Sequence, residues 1–315
     1  MEPKRIYVVG SLNIDLVIQV ERLARPGETL AGSDLILIPG GKGANQACAA
    51  ARLGGRATMI GQVGSDAFAD PLLSSLRTAG VDTSGVSRAE CSTGSACISV
   101  LPNGENAIVI SPGANARVTP EFALSRLPDL GAGDIVLLQL EIPLATVQAV
   151  VAHARQRGAV AILDPAPAQP LPPGLLAQVA YLTPNESEAC LLLGRPGSSI
   201  RDEAQARDVA TQLRALGPAS VILKLGALGC YLSTEAFFGP ISGFAVDAVD
   251  TTAAGDTFNG AFAVALSEGS PLFEAARFAN AAAAISVTRL GAQSSIPDRV
   301  ETAAFLDKEA QAVCS

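Results

Sequence analysis

The sequence predicts an α/β fold in which helices cover a mostly parallel central sheet and a small β-sheet lid lies beside it. The chain has 315 residues, enough for one large domain with a sizeable core. Apolar residues make up 49% and aromatic residues only 4%, which suits a packed sheet covered by Ala- and Leu-rich helices. Strand and helix patterns alternate after Thr119, whereas two stretches, about 12–39 and 91–116, are rich in strands alone. We therefore expect residues 1–315 to form a single α/β domain whose lid comes from those two stretches.

The first half of the chain supplies the lid and the start of the body. A buried strand is predicted at 6–9, and a helix is predicted from the glycine-rich GGKGAN to about Leu53. The hairpin signal is strong where alternating segments flank Pro-Asn-Gly-Glu. The predicted lid strands are 16–20, 29–38, 95–101 and 106–111.

The second half alternates regularly, as expected of a parallel sheet with crossover helices. Its predicted strands are 135–140, 159–163, 180–183 and 220–225, and its clearest helices are 145–156 and 278–287. A Pro-rich segment, 164–174, follows one strand and precedes the next helix, so we interpret it as a surface loop.

Charge and composition exclude several classes of function. The net charge of −8 argues against nucleic acid or an anionic membrane as a partner. His153 stands alone, and the six cysteines form no CxxC pair, so reduced, mostly buried thiols are expected and a zinc site is improbable. No signal-peptide pattern and no apolar run of roughly 18 residues is present, which predicts a soluble, cytoplasmic protein.

The stretch Asp250–Phe262, DTTAAGDTFNGAF, is the strongest candidate for chemistry. Small residues lead into a helix whose first N–H groups are unpaired and lie at a positive dipole end, an arrangement suited to phosphate. Asp256 falls in that first turn. It is either a helix-stabilising acid, worth roughly 0.3–1 kcal/mol, or a base that accepts a proton from a hydroxyl attacking the phosphate.

Other polar groups follow predicted strands or begin predicted helices, and each has an ordinary structural explanation beside the functional one. Turn chemistry explains Asn13 with Asp15 as well as ligand binding does, and it explains GGKGAN better. Glu141 follows a strand at the edge where open α/β sheets bind ligands, but it also precedes a helix. The pair Asn185 and Glu188 has the spacing both of a helix cap and of a site for hydrated magnesium. Gly226 and Gly229 are consistent with a tight turn or with a backbone that lines a nucleotide.

The order of these motifs resembles that of the phosphofructokinase-B type family of carbohydrate kinases, and within it the ribokinase branch. The motifs are GSLNID (10–15), GGKGANQA (40–47), SPGAN (111–115), QLE (139–141), DPAPA (164–168), TPNESEA (183–189), VDTTAAGDTFNGA (249–261) and SVTRLGAQSS (286–295). The resemblance covers nearly the whole chain. It implies a ribokinase-like three-layer α/β/α body and an ATP-dependent kinase that phosphorylates D-ribose at O5.

The same resemblance implies a role for each matching position. Asp256 would be the general base, and the backbone amides of Ala253, Ala254 and Gly255 would form the anion hole. Sugar hydroxyls would be held by Asn13, Asp15, Gly41, Lys42, Asn45, Glu141 and Asp256. The nucleotide would lie against Asn185, Lys224, Gly226, Gly229, Gly255 and Asn280. Magnesium would be held indirectly by Glu188. A monovalent cation, potassium by resemblance, would be held mostly through the backbone of Asp250, Thr252, Ser286, Arg289, Gly291 and Ser295.

Three positions depart from the pattern of the family. Lys224 stands where ribokinases often have Thr, Asn280 where His is frequent, and Ala254 where many relatives have Gly. The first two lie on the nucleotide side and put donor affinity in question.

Two alternatives remain beside the ribose kinase. One is a kinase of the same family for another small sugar or a nucleoside. The other is a non-catalytic sugar-binding regulator, against which the retained Asp256 argues because a sensor needs no base. The expected partners are ribose, ATP and a second copy of the chain, paired as a homodimer through the lid.

Overall fold

Strands and helices alternate through residues 3–314, the part of the chain that the computed structural model describes. Its strands are β1 (Arg5–Val9), β2 (Asn13–Gln19), β3 (Ile36–Gly40), β4 (Arg56–Val63), β5 (Asp82–Arg88), β6 (Gly94–Val100), β7 (Asn106–Ser111), β8 (Ile135–Leu138), β9 (Val160–Leu163), β10 (Tyr181–Leu182), β11 (Ser220–Lys224), β12 (Gly229–Ser233) and β13 (Phe238–Ser242). Its helices are α1 (Lys42–Arg52), α2 (Ala69–Thr78), α3 (Pro120–Leu124), α4 (Leu144–Arg157), α5 (Glu186–Leu192), α6 (Glu203–Ala215), α7 (Ala254–Ser267), α8 (Leu272–Ser286) and α9 (Arg299–Cys314).

Nine strands form the central sheet in the order β13-β12-β11-β10-β9-β8-β1-β4-β5. The strands from β11 to β5 pair in parallel, and β12 runs antiparallel to both of its neighbours. A short turn can join only antiparallel strands, so parallel strands are connected by longer crossovers that usually contain a helix. The predicted mostly parallel sheet is therefore confirmed.

Helices cover both faces of this sheet. Along β1, Ile6 and Val8 belong to one hydrophobic cluster, while Tyr7 and Val9 belong to another, because successive side chains in a strand point to opposite faces. The first cluster includes apolar residues of α1, α7 and α8, and the second includes those of α4 and α6. The result is the expected three-layer arrangement.

A separate four-stranded sheet lies beside the body in the order β3-β2-β6-β7. Its strands come from the two stretches that the sequence singled out, 12–39 and 91–116. The strand predicted at 29–38 was largely wrong, because residues 29–35 form a loop and β3 begins at Ile36. Ser33 connects the loop to the end of β2: its backbone N–H donates to Gln19 O and its hydroxyl accepts from Gln19 N.

The carboxyl ends of the parallel strands bring polar residues to one edge of the body. Ser11 follows β1, Asp164 follows β9 directly, and Lys224 ends β11. The N-termini of α1 and α7 lie at the same edge, since Asn45 in the first turn of α1 contacts Asp256 in the first turn of α7. Ligands of open α/β sheets bind at this edge.

Helices α1 and α7 pack unusually closely. A Cβ added at Gly260 would lie 2.5 Å from Ala49 Cβ and 2.8 Å from Ala50 N. Only glycine therefore allows α7 to approach α1 to this distance, and the approach sets the separation of the two first turns.

Within residues 3–314, no helix is long and apolar enough to cross a membrane. Five cysteines are free thiols, of which Cys48, Cys190 and Cys230 are buried and Cys97 is exposed. The side chain of Cys314, the sixth, lies outside the described residues.

Candidate active site

The first turn of α7 begins with a left-handed residue. Ala253 has φ 59° and caps the helix, so the chain turns sharply before Ala254. Ala254 N donates to Thr251 O at 3.2 Å, and Thr257 N donates to Ala253 O at 2.8 Å. The amide of Ala254 is therefore already engaged inside the turn, while Gly255 follows it on the approach to Asp256.

The carboxylate of Asp256 is held by two amides of α1. Asn45 Nδ2 donates to Asp256 Oδ2 at 3.0 Å, and Gln46 Nε2 donates to Asp256 Oδ1 at 3.1 Å. Asn45 is itself oriented by Gln293, whose Nε2 donates to Asn45 Oδ1 at 3.3 Å. Asp256 thus has more than the role of a solvated helix-start acid, because both of its oxygens are fixed by residues distant in sequence.

Burial raises the pKa of Asp256 to about 6, and the positive charge of Lys42 opposes the shift. Asp164 adds to the increase through like charge, and the hydrogen bonds from Asn45 and Gln46 lower the pKa. A carboxyl group with a pKa near 6 is ionised at neutral pH and is a better proton acceptor than an ordinary aspartate.

Gln46 connects Asp256 with a second buried carboxylate. Its Nε2 also donates to Asp164 Oδ2 at 3.0 Å, and its Oε1 accepts from Gln139 Nε2 at 2.5 Å. Asp164 in turn forms an ion pair with Lys224, at 3.0 Å between Oδ1 and Nζ. The orientation of the Gln46 amide follows from these partners, since only its nitrogen can donate to two carboxylates.

Lys42 lies among acidic groups at the start of α1. Burial by itself would lower the pKa of Lys42, but four surrounding carboxylates outweigh burial and raise it. They belong to Asp256, Asp164, Glu141 and Glu188. The sequence placed Lys42, Asn45 and Asp256 in one site, and the structure brings them together.

Glu141 joins the group of residues that the resemblance assigns to the sugar. Its Oε2 accepts from Ser11 Oγ at 2.5 Å and from Lys42 N at 3.1 Å. Asp15 lies close by: burial, followed by the charge of Glu141, raises its pKa to about 6. Glu141 thus joins the site and does not cap the following helix, because α4 begins at Leu144 after Pro143.

Asn13 and Asp15 are residues of β2 and share one side of it. Asn13 is buried, and its Oδ1 accepts from Asn115 Nδ2 at 2.7 Å. Gly40 and Gly41 leave room beside them: a Cβ at Gly40 would lie 2.5 Å from Asp15 Oδ2, and one at Gly41 would lie 2.7 Å from Asn13 N. The glycines of GGKGAN therefore allow close backbone approach and are not only turn residues.

Asn185 and Glu188 form the capping box that the sequence offered as one explanation. Asn185 Oδ1 accepts from Glu188 N at 2.9 Å, and Glu188 Oε2 accepts from Asn185 N at 2.8 Å. Burial raises the pKa of Glu188, as does the nearby Asp164, while Lys224 opposes the shift. Both residues lie next to the Asp164–Lys224 pair, because Asn185 also forms a backbone bridge with Lys224.

The remaining residues that the resemblance assigns to the nucleotide form a second group, near the start of β12 and the end of β13. Gly226 and Gly229 have φ 56° and 89°, and a Cβ at Gly229 would lie 2.2 Å from Ile241 O. Asn280 Nδ2 donates to Ile241 O and Ser242 O at 3.2 and 3.3 Å. In the described part of the chain, Asn280 thus contacts the backbone of β13 and not Asp256.

The predicted cation-binding residues come from two segments that meet at Asp250. Its carboxylate accepts from Thr252 N and Gly291 N, each at 2.9 Å. Partial burial would raise the pKa of Asp250, but these hydrogen bonds outweigh burial and lower it. The hydroxyls of Ser286 and Ser295 donate to carbonyls of their own turns, and Arg289 pairs with Glu301.

No group of three or more His, Cys, Asp or Glu side chains arranged to hold a metal ion occurs among the described residues.

Sequence reasoning assigned no role to several residues that complete the site: Ser11, Gln46, Asn115, Gln139, Asp164 and Gln293. Ser11 and Asp164 were detectable, because Ser11 lies two residues after β1 and Asp164 directly follows β9, at the edge where open α/β sheets bind ligands. Gln46 and Gln293 gave no such signal, since a glutamine in a helix or a loop is usually a surface residue.

Comparisons with known proteins agree with this arrangement. The model for "pfkB family carbohydrate kinase" matches residues 3–299. Ribokinase from Haemophilus influenzae is 43% identical over 305 residues, which are 96% of this chain and 99% of the relative.

Two solved structures are similar over nearly the same length. Ribokinase from Thermotoga maritima is 42% identical with a TM-score of 0.85, covering 96% of this chain and 99% of that one. Ribokinase from Arabidopsis thaliana, solved with ribose and ATP, is 36% identical with a TM-score of 0.88, covering 97% and 99%. Since the family model and the relatives span almost the whole sequence, the chain belongs to the pfkB family of carbohydrate kinases.

Proposed function

We propose that this protein is an ATP-dependent kinase that phosphorylates D-ribose at O5. The observation that carries the proposal is the buried carboxylate of Asp256 at the start of α7, which is fixed by Asn45 and Gln46 of the GGKGANQ motif at the start of α1. The near-full-length similarity to ribokinases, one of them solved with ribose and ATP, supports ribose and ATP as the substrates.

Transfer proceeds in line. Asp256 accepts the proton of the 5-hydroxyl as the oxygen bonds to the γ-phosphorus, and the bond from that phosphorus to the β,γ-bridging oxygen breaks with its electron pair leaving on ADP. The backbone of Ala253, Ala254, Gly255 and Asp256 serves as the anion hole at a helix N-terminus. Ala254 N must exchange its bond to Thr251 O for the phosphoryl oxygen, whereas Gly255 needs no such exchange in this proposal.

The sugar lies against the group centred on β2 and α1. Carboxylates of Asp15 and Glu141 accept from hydroxyls, while Asn13, Asn45 and Lys42 donate to them. Support comes from their shared location: the charge of Glu141 contributes to the raised pKa of Asp15, and Glu141 accepts from Lys42 N. Gly41 offers its backbone, free of a side chain.

The nucleotide lies on the side of Asn185, Lys224, Gly226, Gly229 and Asn280, reaching Gly255 with its terminal phosphate. Magnesium bound with ATP neutralises phosphate charge. Glu188 fits indirect binding through water, because its buried carboxylate is an oxygen donor but already accepts two hydrogen bonds from Asn185.

A monovalent cation, which we propose to be potassium, binds between the segments around Asp250 and Gly291. The hydroxyls of Ser286 and Ser295 are engaged locally, so backbone carbonyls of Asp250, Thr252, Ser286, Arg289, Gly291 and Ser295 are the ligands in this proposal. Its chemical contribution is to hold the chain leading into the anion hole.

The small sheet acts as the lid of a single domain, residues 1–315, and also as a dimer contact. Its edge strands β3 and β7 carry exposed apolar residues: Ile36, Leu37, Ile108, Val109 and Ile110. Edge strands with apolar surface are a liability unless they are covered. We propose cytoplasmic action, which the free thiols support because that compartment is reducing.

Coupled ADP release with a panel of acceptors tests the function. We expect D-ribose to give the highest kcat/KM among ribose, 2-deoxyribose, fructose and adenosine, and the product to carry phosphate on O5 by ³¹P NMR. A higher kcat/KM with another acceptor would identify that acceptor, and not ribose, as the substrate of a kinase of the same family. The absence of acceptor-dependent turnover, with intact ribose binding, would favour a non-catalytic regulator.

A further inference from the structure

Lys224 stands at the end of β11 with its side chain directed into the site. Its backbone N–H donates to Pro184 O at 2.8 Å, which fixes the end of the strand. The side chain is only 12% exposed and pairs with Asp164, whose side chain is 3% exposed, at 3.0 Å. Asp164 cannot follow the lysine freely, because Gln46 donates to its other oxygen.

The ammonium group lies over the first turn of α7. A Cβ added at Gly255 would be 3.2 Å from Lys224 Nζ and 3.9 Å from its Cε, and among atoms outside its own turn of α7 only these lie within 4 Å. The space above Gly255, which the absence of a side chain leaves open, is therefore bordered by a cation. Gly255 immediately precedes Asp256, so this cation is next to the proposed anion hole.

The charges of the site require such a cation. The site contains two lysines, Lys42 and Lys224, and five carboxylates. The carboxylates belong to Asp15, Glu141, Asp164, Glu188 and Asp256. A transferring phosphoryl group adds further negative charge in a site of low dielectric, where positive charge and aligned dipoles are needed to stabilise it. Lys42 is already shared among four of the carboxylates.

We propose that Lys224 supplies positive charge to the phosphoryl group during its transfer, with Asp164 positioning its ammonium above Gly255. This inference rests on the proposed kinase function. Lys224 donates a hydrogen bond to an equatorial oxygen of the phosphoryl group and transfers no proton. The proton of the sugar hydroxyl goes to Asp256 and the electron pair of the broken bond leaves with ADP. Asp164 is a positioning residue, since it acts through Lys224.

The competing explanation is a purely structural ion pair. Buried pairs often contribute little to stability, because desolvation offsets their attraction. If the pair is purely structural, removing Lys224 would lower the melting temperature and leave the chemical step unchanged. If Lys224 contacts the phosphoryl group, removing it would lower kcat. Simple lining of the nucleotide would instead change the affinity for ADP, which lacks the transferred group.

The test uses Lys224→Gln and Lys224→Met, which remove the charge, and Lys224→Arg, which keeps it. We expect kcat with ribose to fall on the order of 10²-fold in the Gln and Met variants, the scale of one lost transition-state donor. The Kd of ADP, measured by calorimetry, should stay within about threefold, since an interaction made only in transfer does not contribute to ground-state binding. Lys224→Arg, which keeps the positive charge, should retain most of the wild-type kcat.

Lys308→Met, on the exposed side of α9, is the matched control and should change neither quantity. An unchanged kcat in folded Lys224→Gln overturns the inference, as does an equal change in kcat and in ADP affinity. If Lys224→Met does not fold, Lys224→Gln still decides, because its amide can donate to Asp164. Failure of the proposed function is separate: it would appear as a wild-type protein without ribose-dependent ADP release.

Discussion

Asp256 combines burial, a fixed orientation and a raised pKa in one residue. Asp256→Asn preserves the size of the side chain and removes the proton acceptor. We expect kcat to fall about 10²–10⁴-fold, the usual scale for a general base, while calorimetry shows retained binding of ribose and ADP. Asp307→Asn, an exposed carboxylate on α9, is the control. Near-normal turnover in Asp256→Asn would remove Asp256 from the role of base.

The raised pKa values of Asp256 and Asp15, each about 6, predict how the rate depends on pH. The base must be ionised, so kcat/KM should fall as the pH drops through about 6, and the fall should be steeper if Asp15 must also be ionised. Asp15→Asn should leave a fall in kcat/KM through about 6 in place. A kcat/KM that stays constant down to pH 4.5 would contradict this assignment.

The contribution of Asp256 to stability should fall over the same pH range in which activity rises. The folded-state pKa of Asp256 lies above its ordinary value of 3.8, so the folded protein binds the proton more tightly than the unfolded chain does. The contribution of this group to the free energy of unfolding is therefore present below pH 3.8 and lost as the pH rises through about 6. The buried surroundings of Asp256 therefore favour its protonated form, whereas its role as a base needs the ionised form.

At the scale of elements, the close packing of α1 and α7 sets the distance between Asn45 and Asp256. Gly260→Ala places a methyl group 2.5 Å from Ala49 Cβ, so one helix must shift. We expect a loss of roughly 1–3 kcal/mol from overpacking, partly offset by about 1 kcal/mol from the better helix propensity of Ala.

Urea unfolding measures the loss, and kcat should fall with it because α7 moves away from α1. Gly131→Ala is the matched control, since the nearest atom to its added Cβ is 3.8 Å away. Equal stability of both variants would show that the helices have slack at this contact.

The segment from Arg289 to Ser295 is the second element with a prediction attached. If its carbonyls hold a monovalent cation beside the chain that enters α7, exchange of potassium for sodium or choline should lower kcat at constant ionic strength. The physical reason is that Asp250 joins this loop to the residues before Ala253 through its bonds to Gly291 N and Thr252 N. Equal rates in all three salts would refute the cation site.

Much of the fold was predictable from the sequence because local patterns determined it. The fully apolar β8 and the Asn-Gly turn between β6 and β7 have signals confined to a few neighbouring residues. The loop at 29–35 was mistaken for a strand because its apolar residues suggested one, while Gly32-Ser33-Asp34 interrupts the run. Contacts of Gln46 with Asp164 and Asp256 were not predictable, because they join residues 118 and 210 positions apart.

For the whole molecule, the exposed apolar edges of the small sheet predict a dimer. Val109 is 71% exposed on the edge strand β7. Val109→Lys should convert a dimer into a monomer in sedimentation velocity, because a partner strand would have to bury the charge. Val300→Lys, equally apolar in the wild type and 78% exposed on α9, should leave the dimer intact. A wild-type monomer at micromolar concentration would contradict the prediction.

The contact between Gln46 and Asp256 also has a consequence for how the protein is made. The two residues are 210 positions apart, so at about 5–20 residues per second roughly 10–40 s of synthesis separate them. During that interval Asn45 and Gln46 have been synthesised without the carboxylate to which they donate. The contacts that hold Asp256 therefore form only after α7 has been synthesised and has docked against α1.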